Sequence, residues 1–143
     1  MRTLILLALA GAATAQAPTV YKPKPIANLK QIMRSIPFPN SNIIFDVQSK
    51  APKDDMEWKN VENASLAIAE FANLVTLPGR LRENGQPVPV QRADWNKFAQ
   101  GLVDAGKACY KAAQSKSVEA VSMCTDQLSD SCSNCHDVYR DKK

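Results

Sequence analysis

In the second half of the chain, apolar positions recur at alternating spacings of three and four. Trp95, Phe98, Leu102, Ala105, Cys109 and Ala112 follow one another in this way, and so do Val121, Thr125, Leu128, Cys132, Cys135 and Tyr139. Such spacing keeps side chains on one stripe of an α-helix, the seam of a packed bundle. It predicts helices over about 92–115 and 117–140. Upstream, Trp58, Val61, Ala64, Ile68, Ala72 and Val75 outline another helical face. That helix starts near Asp54, where Asp54 and Glu57 resemble a capping box, and ends before Pro78-Gly79. Ile26, Leu29, Met33 and Ile36 outline a first helix over about 25–36, which Pro37 and Pro39 are expected to stop. A long connection follows, and its apolar run Ile43-Ile44-Phe45 is expected to pack as a lid rather than form a strand. Residues 85–89 read as a loop. No alternating strand pattern persists, so the expected class is all-α, an antiparallel four-helix bundle with short later connections.

The N-terminus departs from this pattern. Arg2 precedes an apolar run from Leu4 to Ala10 that is too short to span a bilayer as a helix, and Ala13-Thr14-Ala15 supplies small residues at a cleavage spacing. Residues 1–15 therefore read as an export signal cut after about Ala15, with Ala17 as the competing site and an uncleaved anchor as the alternative. Residues 16–143 form one domain, and no later segment is apolar enough to span a membrane. Cutting there removes Arg2, one of 18 basic residues; against 14 acidic ones the formal charge falls from +4 to about +3. The basic residues form no stripe or tail, so nucleic acid is a poor first guess as partner. At 45% hydrophobic and 22% charged, the chain has the composition of an ordinary globular domain rather than a disordered one.

Export places four cysteines in oxidising conditions. If the last two helices turn back near residues 116 and 117, positions whose numbers sum to about 233 lie side by side. Cys109 and Cys124 meet that condition, so a disulfide is expected there; two free buried thiols are the alternative. The other two lie in Cys132-Ser133-Asn134-Cys135-His136. Cysteines at i and i+3 share a helix face, and a histidine at i+4 sits beside them. Two thiols can then meet the two vinyl groups on one porphyrin edge while an imidazole reaches the iron. Cys-x-x-Cys-His is thus the attachment signature of haem c, with His136 as proximal ligand. A thioredoxin-type redox pair would want a preceding strand, which is not visible. A zinc site is allowed by ligand count if another cysteine joins.

The sixth position on the iron separates functions. His136 is the only histidine. Met123 shares its helix and lies thirteen residues away, about 20 Å along the axis at 1.5 Å per residue. Met56 sits near the start of the second helix. Met33 lies on the apolar face of the first helix, where it is either a ligand or a gap-filling core residue.

The whole stretch after the leader resembles a class II c-type cytochrome, the cytochrome c prime family. Four helices with Cys-x-x-Cys-His on the last carry the resemblance, as do Tyr139-Arg140 after His136, which match a His-x-x-Phe/Tyr-Arg ending. The stretch Met33-Arg34-Ser35-Ile36-Pro37, running on to Asn42-Ile43-Ile44-Phe45, is similar to the ligand-helix exit of low-spin members. The resemblance implies one covalent haem, Met33 as distal iron ligand, and Arg140 near the proximal haem face. With Met33 on the iron no coordination site is open, so the expected function is single-electron exchange with other redox proteins rather than enzymatic activity, and the export signal suggests the periplasm. Relatives often dimerise through their first two helices, which makes a homodimer an expectation. One departure is Leu29, which stands where the family often has an arginine four residues before the methionine, with Lys30 next to it. The rival function is a five-coordinate haem that binds nitric oxide or carbon monoxide. A peroxidase is a weaker reading, since no second histidine can serve as distal acid or base.

Overall fold

The structure is a computed structural model that describes residues 20–140. The expected leader and its cleavage site lie outside these residues. Within them the chain is all-helical: α1 (Leu29–Ser35), α2 (Pro37–Asp46), α3 (Asp55–Val75), α4 (Ala93–Gln114) and α5 (Val118–Tyr139). Among the described residues there is no strand, only an isolated bridge between Leu81 and Pro87 in the loop after α3. No helix among them is long and apolar enough to cross a membrane.

The start of the helical region differs from the expected one. The first helix begins at Leu29 rather than near residue 25, because Asn28 caps it. The Asn28 side chain accepts from the Gln31 N–H, while the Gln31 side chain accepts from the Asn28 N–H, both at 2.9 Å. Ile26 lies outside this cap and is fully exposed, not part of an apolar face. Pro37 and Pro39 do not stop helical structure. They occupy the first turn of α2, where N–H groups lack intrahelical partners, so a missing N–H costs nothing. Ile36 is the pivot between the two helices, and its carbonyl accepts from the Asn40 side-chain amide at 2.8 Å. The run at 43–45 is therefore helix rather than a lid. Ile44 and Val47 point into the core, with Ile43 and Phe45 exposed. Burying a side chain such as Ile44 stabilises by about 1.5–3 kcal/mol, which holds α2 onto the molecule.

The later helices keep closely to the sequence pattern. Asp54 caps α3 by accepting from the Glu57 N–H at 2.8 Å. The Glu57 carboxylate reaches back one residue further than in a standard capping box, to the Lys53 N–H at 2.8 Å. Trp58, Val61, Ala64, Ile68, Ala72 and Val75 are all buried. On α4 the buried stripe runs Trp95, Ala99, Ala105, Gly106, Cys109 and Ala113, while Phe98 and Ala112 are half-buried. The stripe drifts because 3.6 residues per turn do not match a strict three-four alternation. Gly106 marks the closest approach of α3 and α4. A Cβ there would lie 2.7 Å from the Ala69 backbone nitrogen.

Between α4 and α5 the chain turns at Lys116, whose φ of 51° is left-handed. The Ser117 side chain then accepts from the Ala120 N–H at 3.1 Å and caps α5. Across these helices Cys109 meets Cys124, Gly101 meets Ser131 and Trp95 meets Tyr139. α3 packs along α4, α4 along α5, and α2 touches both α3 and α5. After α2, Gln48 donates to Ser122 Oγ at 2.9 Å and to Thr125 Oγ1 at 3.0 Å, tying that junction to α5.

The core has two parts. One gathers Ile44, Val47, Trp58, Val61, Ile68, Cys109, Val121, Cys124 and Leu128 around the turn between α4 and α5. The other gathers Ile32, Phe71, Val75, Val88, Trp95 and Ala99 toward the C-terminal end of α5.

Candidate functional site

Cys109 and Cys124 form a disulfide with their Cα atoms 5.2 Å apart, in the register expected from the turn. Both are buried. Cys132 and Cys135 remain free thiols on the same helix, one and two turns beyond the fully buried Leu128. Both are half-buried, and they straddle the two parts of the core. Cys132 packs against the first and Cys135 against the second. The intervening Ser133 and Asn134 are exposed, as is His136. The apolar seam of α5 thus presents both thiols inward and leaves the imidazole at its margin.

Burial pushes the Cys132 thiol pKa upward. Cys135 is pushed up to about 11, by burial first and by its neighbour Cys132 second. Both are therefore protonated at neutral pH. A reactive redox pair needs a lowered pKa, so this environment argues against thioredoxin-like chemistry. For His136, desolvation is the leading cause of a lowered pKa. The Arg140 charge adds to it and Asp137 opposes it. The ring is thus held toward the neutral form that ligates metals. Arg140 itself is exposed; its N–H donates to the His136 carbonyl at 3.0 Å, and its charge acts on the imidazole.

The end of α5 is fixed by Tyr139. Its ring meets Trp95 edge-on with centroids 4.9 Å apart, and Phe98 at 6.1 Å. Its hydroxyl accepts from Arg92 Nε at 2.8 Å, and Arg92 grips Asp94 through two bonds of 2.9 Å. The Arg92 guanidinium holds the Asp94 carboxyl well below the usual carboxylate range. Trp95 in turn donates from its indole to the Val75 carbonyl at 3.2 Å. These partners of Tyr139 carry no sequence motif. Trp95 and Phe98 were visible only as seam residues.

Met33 is half-buried and packs in the second part of the core, the same one that holds Cys135. Met56 and Met123 are 75% and 73% exposed. Leu29 also packs there, and the neighbouring Lys30 ammonium is paired with Glu83. Among the described residues no three His, Cys, Asp or Glu side chains form a group able to hold a metal ion unaided. Cys132, Cys135 and His136 thus do not converge on a single point as zinc ligands must. Two grooves, of about 510 and 440 Å³, flank these helices, and the first is lined in part by Asn134, Asp137 and Val138, between and beside the motif residues. One runs between α4 and α5 past Phe98, Gly101 and Ser131, the other between α2 and α3 past Asn40, Ile43 and Asn60.

Comparison with protein-family profiles, with characterised proteins and with solved structures returns no match to this chain.

Proposed function

We propose that this chain is a periplasmic monohaem c-type cytochrome of the class II kind, an antiparallel four-helix bundle in which α1 and α2, broken at Ile36, together stand for the first helix, and that it passes single electrons to and from other redox proteins. One observation carries the reading: Met33 from α1 and Cys135 from α5 pack in the same apolar cluster, while the other described methionines face solvent. The donor set also fits haem c. Two protonated thiols lie on one helical face, one imidazole lies beside them, and one thioether comes from a separate helix. Zinc would require its ligands to meet, and they do not.

Haem, when bound, supplies a one-electron iron couple, and a histidine and methionine pair raises its potential relative to harder ligands. The chain's own residues supply the rest. Cys132 and Cys135 would fix the group to α5 through two thioether bonds. His136 would hold the proximal side. Met33 would hold the distal side, and Phe71, Val75 and Trp95 would keep the surroundings dry. Tyr139, locked by Trp95 and Arg92, keeps the last turn of α5 and hence His136 in place. Arg140 sets positive charge beside the proximal imidazole.

Absorption spectroscopy with carbon monoxide tests the assignment. The expected ferrous spectrum is low-spin and unchanged by the gas. Met33→Leu, a nearly volume-conserving change costing under about 1.5 kcal/mol, should convert it to a high-spin, gas-binding form. A wild-type spectrum already shifted by carbon monoxide would transfer the assignment to the five-coordinate gas-binding reading.

A further inference from the structure

Arg80 is 4% exposed, and it is the only charged side chain among the described residues that is buried. It sits in the loop between α3 and α4. Its Nε donates to the Leu74 carbonyl at 3.2 Å and its Nη1 to the Ala27 carbonyl at 2.6 Å. Carbonyls satisfy N–H groups but do not neutralise a cation. Among the described residues no ion pair joins a carboxylate to Arg80. A guanidinium held only by carbonyls keeps its full charge and can still take a carboxylate.

Its surroundings say where a counter-charge would come from. The Arg80 carbonyl accepts from the Val88 N–H at 2.8 Å, and its side chain reaches Ala27. Both Val88 and Ala27 belong to the cluster that holds Met33 and Cys135. The guanidinium therefore lies at the border of the cluster in which the proposed cofactor would sit. Of its five N–H donors, those on Nη2 make neither of the two bonds above.

We propose that Arg80 binds a carboxylate of the haem, with its Nη2 edge donating to one of the two propionates. This rests on the haem reading above. Haem brings two carboxylates to a bundle interior that offers Arg80 none, and charge-assisted bonds from a guanidinium to a carboxylate are among the strongest available. Desolvation lowers the Arg80 pKa, consistent with a cation lacking its counter-ion. Leu29 and Lys30 are poor substitutes: one is apolar, and the other is already paired with Glu83.

The test uses the haem-loaded protein as wild type, Arg80→Gln and Arg80→Lys. Haem content is measured by pyridine haemochrome, the propionate bending band by resonance Raman, and the reduction potential by titration. Arg80→Gln should keep its haem yet move the propionate band to lower frequency and lower the potential, because a positive charge near the iron has gone. Arg80→Lys should move both less, since it keeps the charge and loses the planar fork. If Arg80→Gln does not fold, the band shift in Arg80→Lys carries the test. A variant that melts at lower temperature but leaves band and potential at their wild-type values would reduce Arg80 to a staple between the segment before α1 and the end of α3, overturning the inference alone. Wild type without a haemochrome spectrum would overturn the haem reading and this inference together.

Discussion

The two halves of α5 carry the same kind of seam and end differently. In the first half Val121, Cys124, Thr125 and Leu128 are all 6% exposed or less, and Cys124 is bonded across to α4. In the second half Cys132, Cys135 and Tyr139 continue the seam, yet all three are half-buried and both thiols are free. The first half is sealed by protein atoms alone: Val47 from the end of α2, Trp58 and Val61 from α3, Ala105 and Ala113 from α4. The second half meets α4 through Trp95 and Phe98 and meets α1 through the cluster of Met33. Identical residue types at similar helical spacing thus take on a structural task in one place and, on our reading, an attachment task in the other.

The comparison is broken most sharply by exchanging the roles of the two pairs. Replacing Cys132 and Cys135 together with alanine should abolish covalent haem, read as loss of haem-stained protein after denaturing electrophoresis, and leave the Cys109–Cys124 bond intact. Replacing Cys109 and Cys124 together should do the reverse. Haem content should persist while stability falls by about 3 kcal/mol in the chain-entropy account of a loop this size, measured by denaturant unfolding. If that double variant lost its haem while remaining folded, the division between the halves would be wrong. A smaller effect tests how tightly the sealed region is packed. Gly106→Ala would gain up to about 1 kcal/mol of helix propensity in isolation. Here the new methyl group meets the Ala69 backbone at 2.7 Å, and backbone cannot rotate away. The expected net result is a loss of about 1–3 kcal/mol, as for overpacking generally. A stabilised variant would mean that α3 and α4 separate easily at this crossing.

The halves also differ in how readily the sequence revealed them. The faces of α3 and α5 were legible because long amphipathic helices repeat their signal over many turns, and Asp54 and Ser117 are strong N-caps. The Cys109–Cys124 bond was legible because a short turn fixes the register of the two helices it joins. That Cys132, Cys135 and His136 lie on adjacent turns of one helix was legible, since their spacing is local to it. The features that the pattern hid depend on context. Pro37 and Pro39 look like stops, yet the first turn of a helix does not need their N–H groups, so the residue pattern alone suggests a connection where α2 stands. Ile26 fits the three-residue spacing to Leu29, but the Asn28 cap places it outside the helix. Gly106 is set by a contact with α3, and Arg80 by carbonyls that arrive from two other segments. Neither has a signature in its neighbours along the chain.

Covalent attachment itself is read most directly from the intact mass of the purified protein. The chain is expressed with a cytochrome c maturation system, then denatured so that only bonded groups remain. The account predicts a mass raised by one haem, with the increment mapping to the peptide that contains Cys132 and Cys135. An unmodified polypeptide mass, with both thiols still open to alkylation, would contradict it.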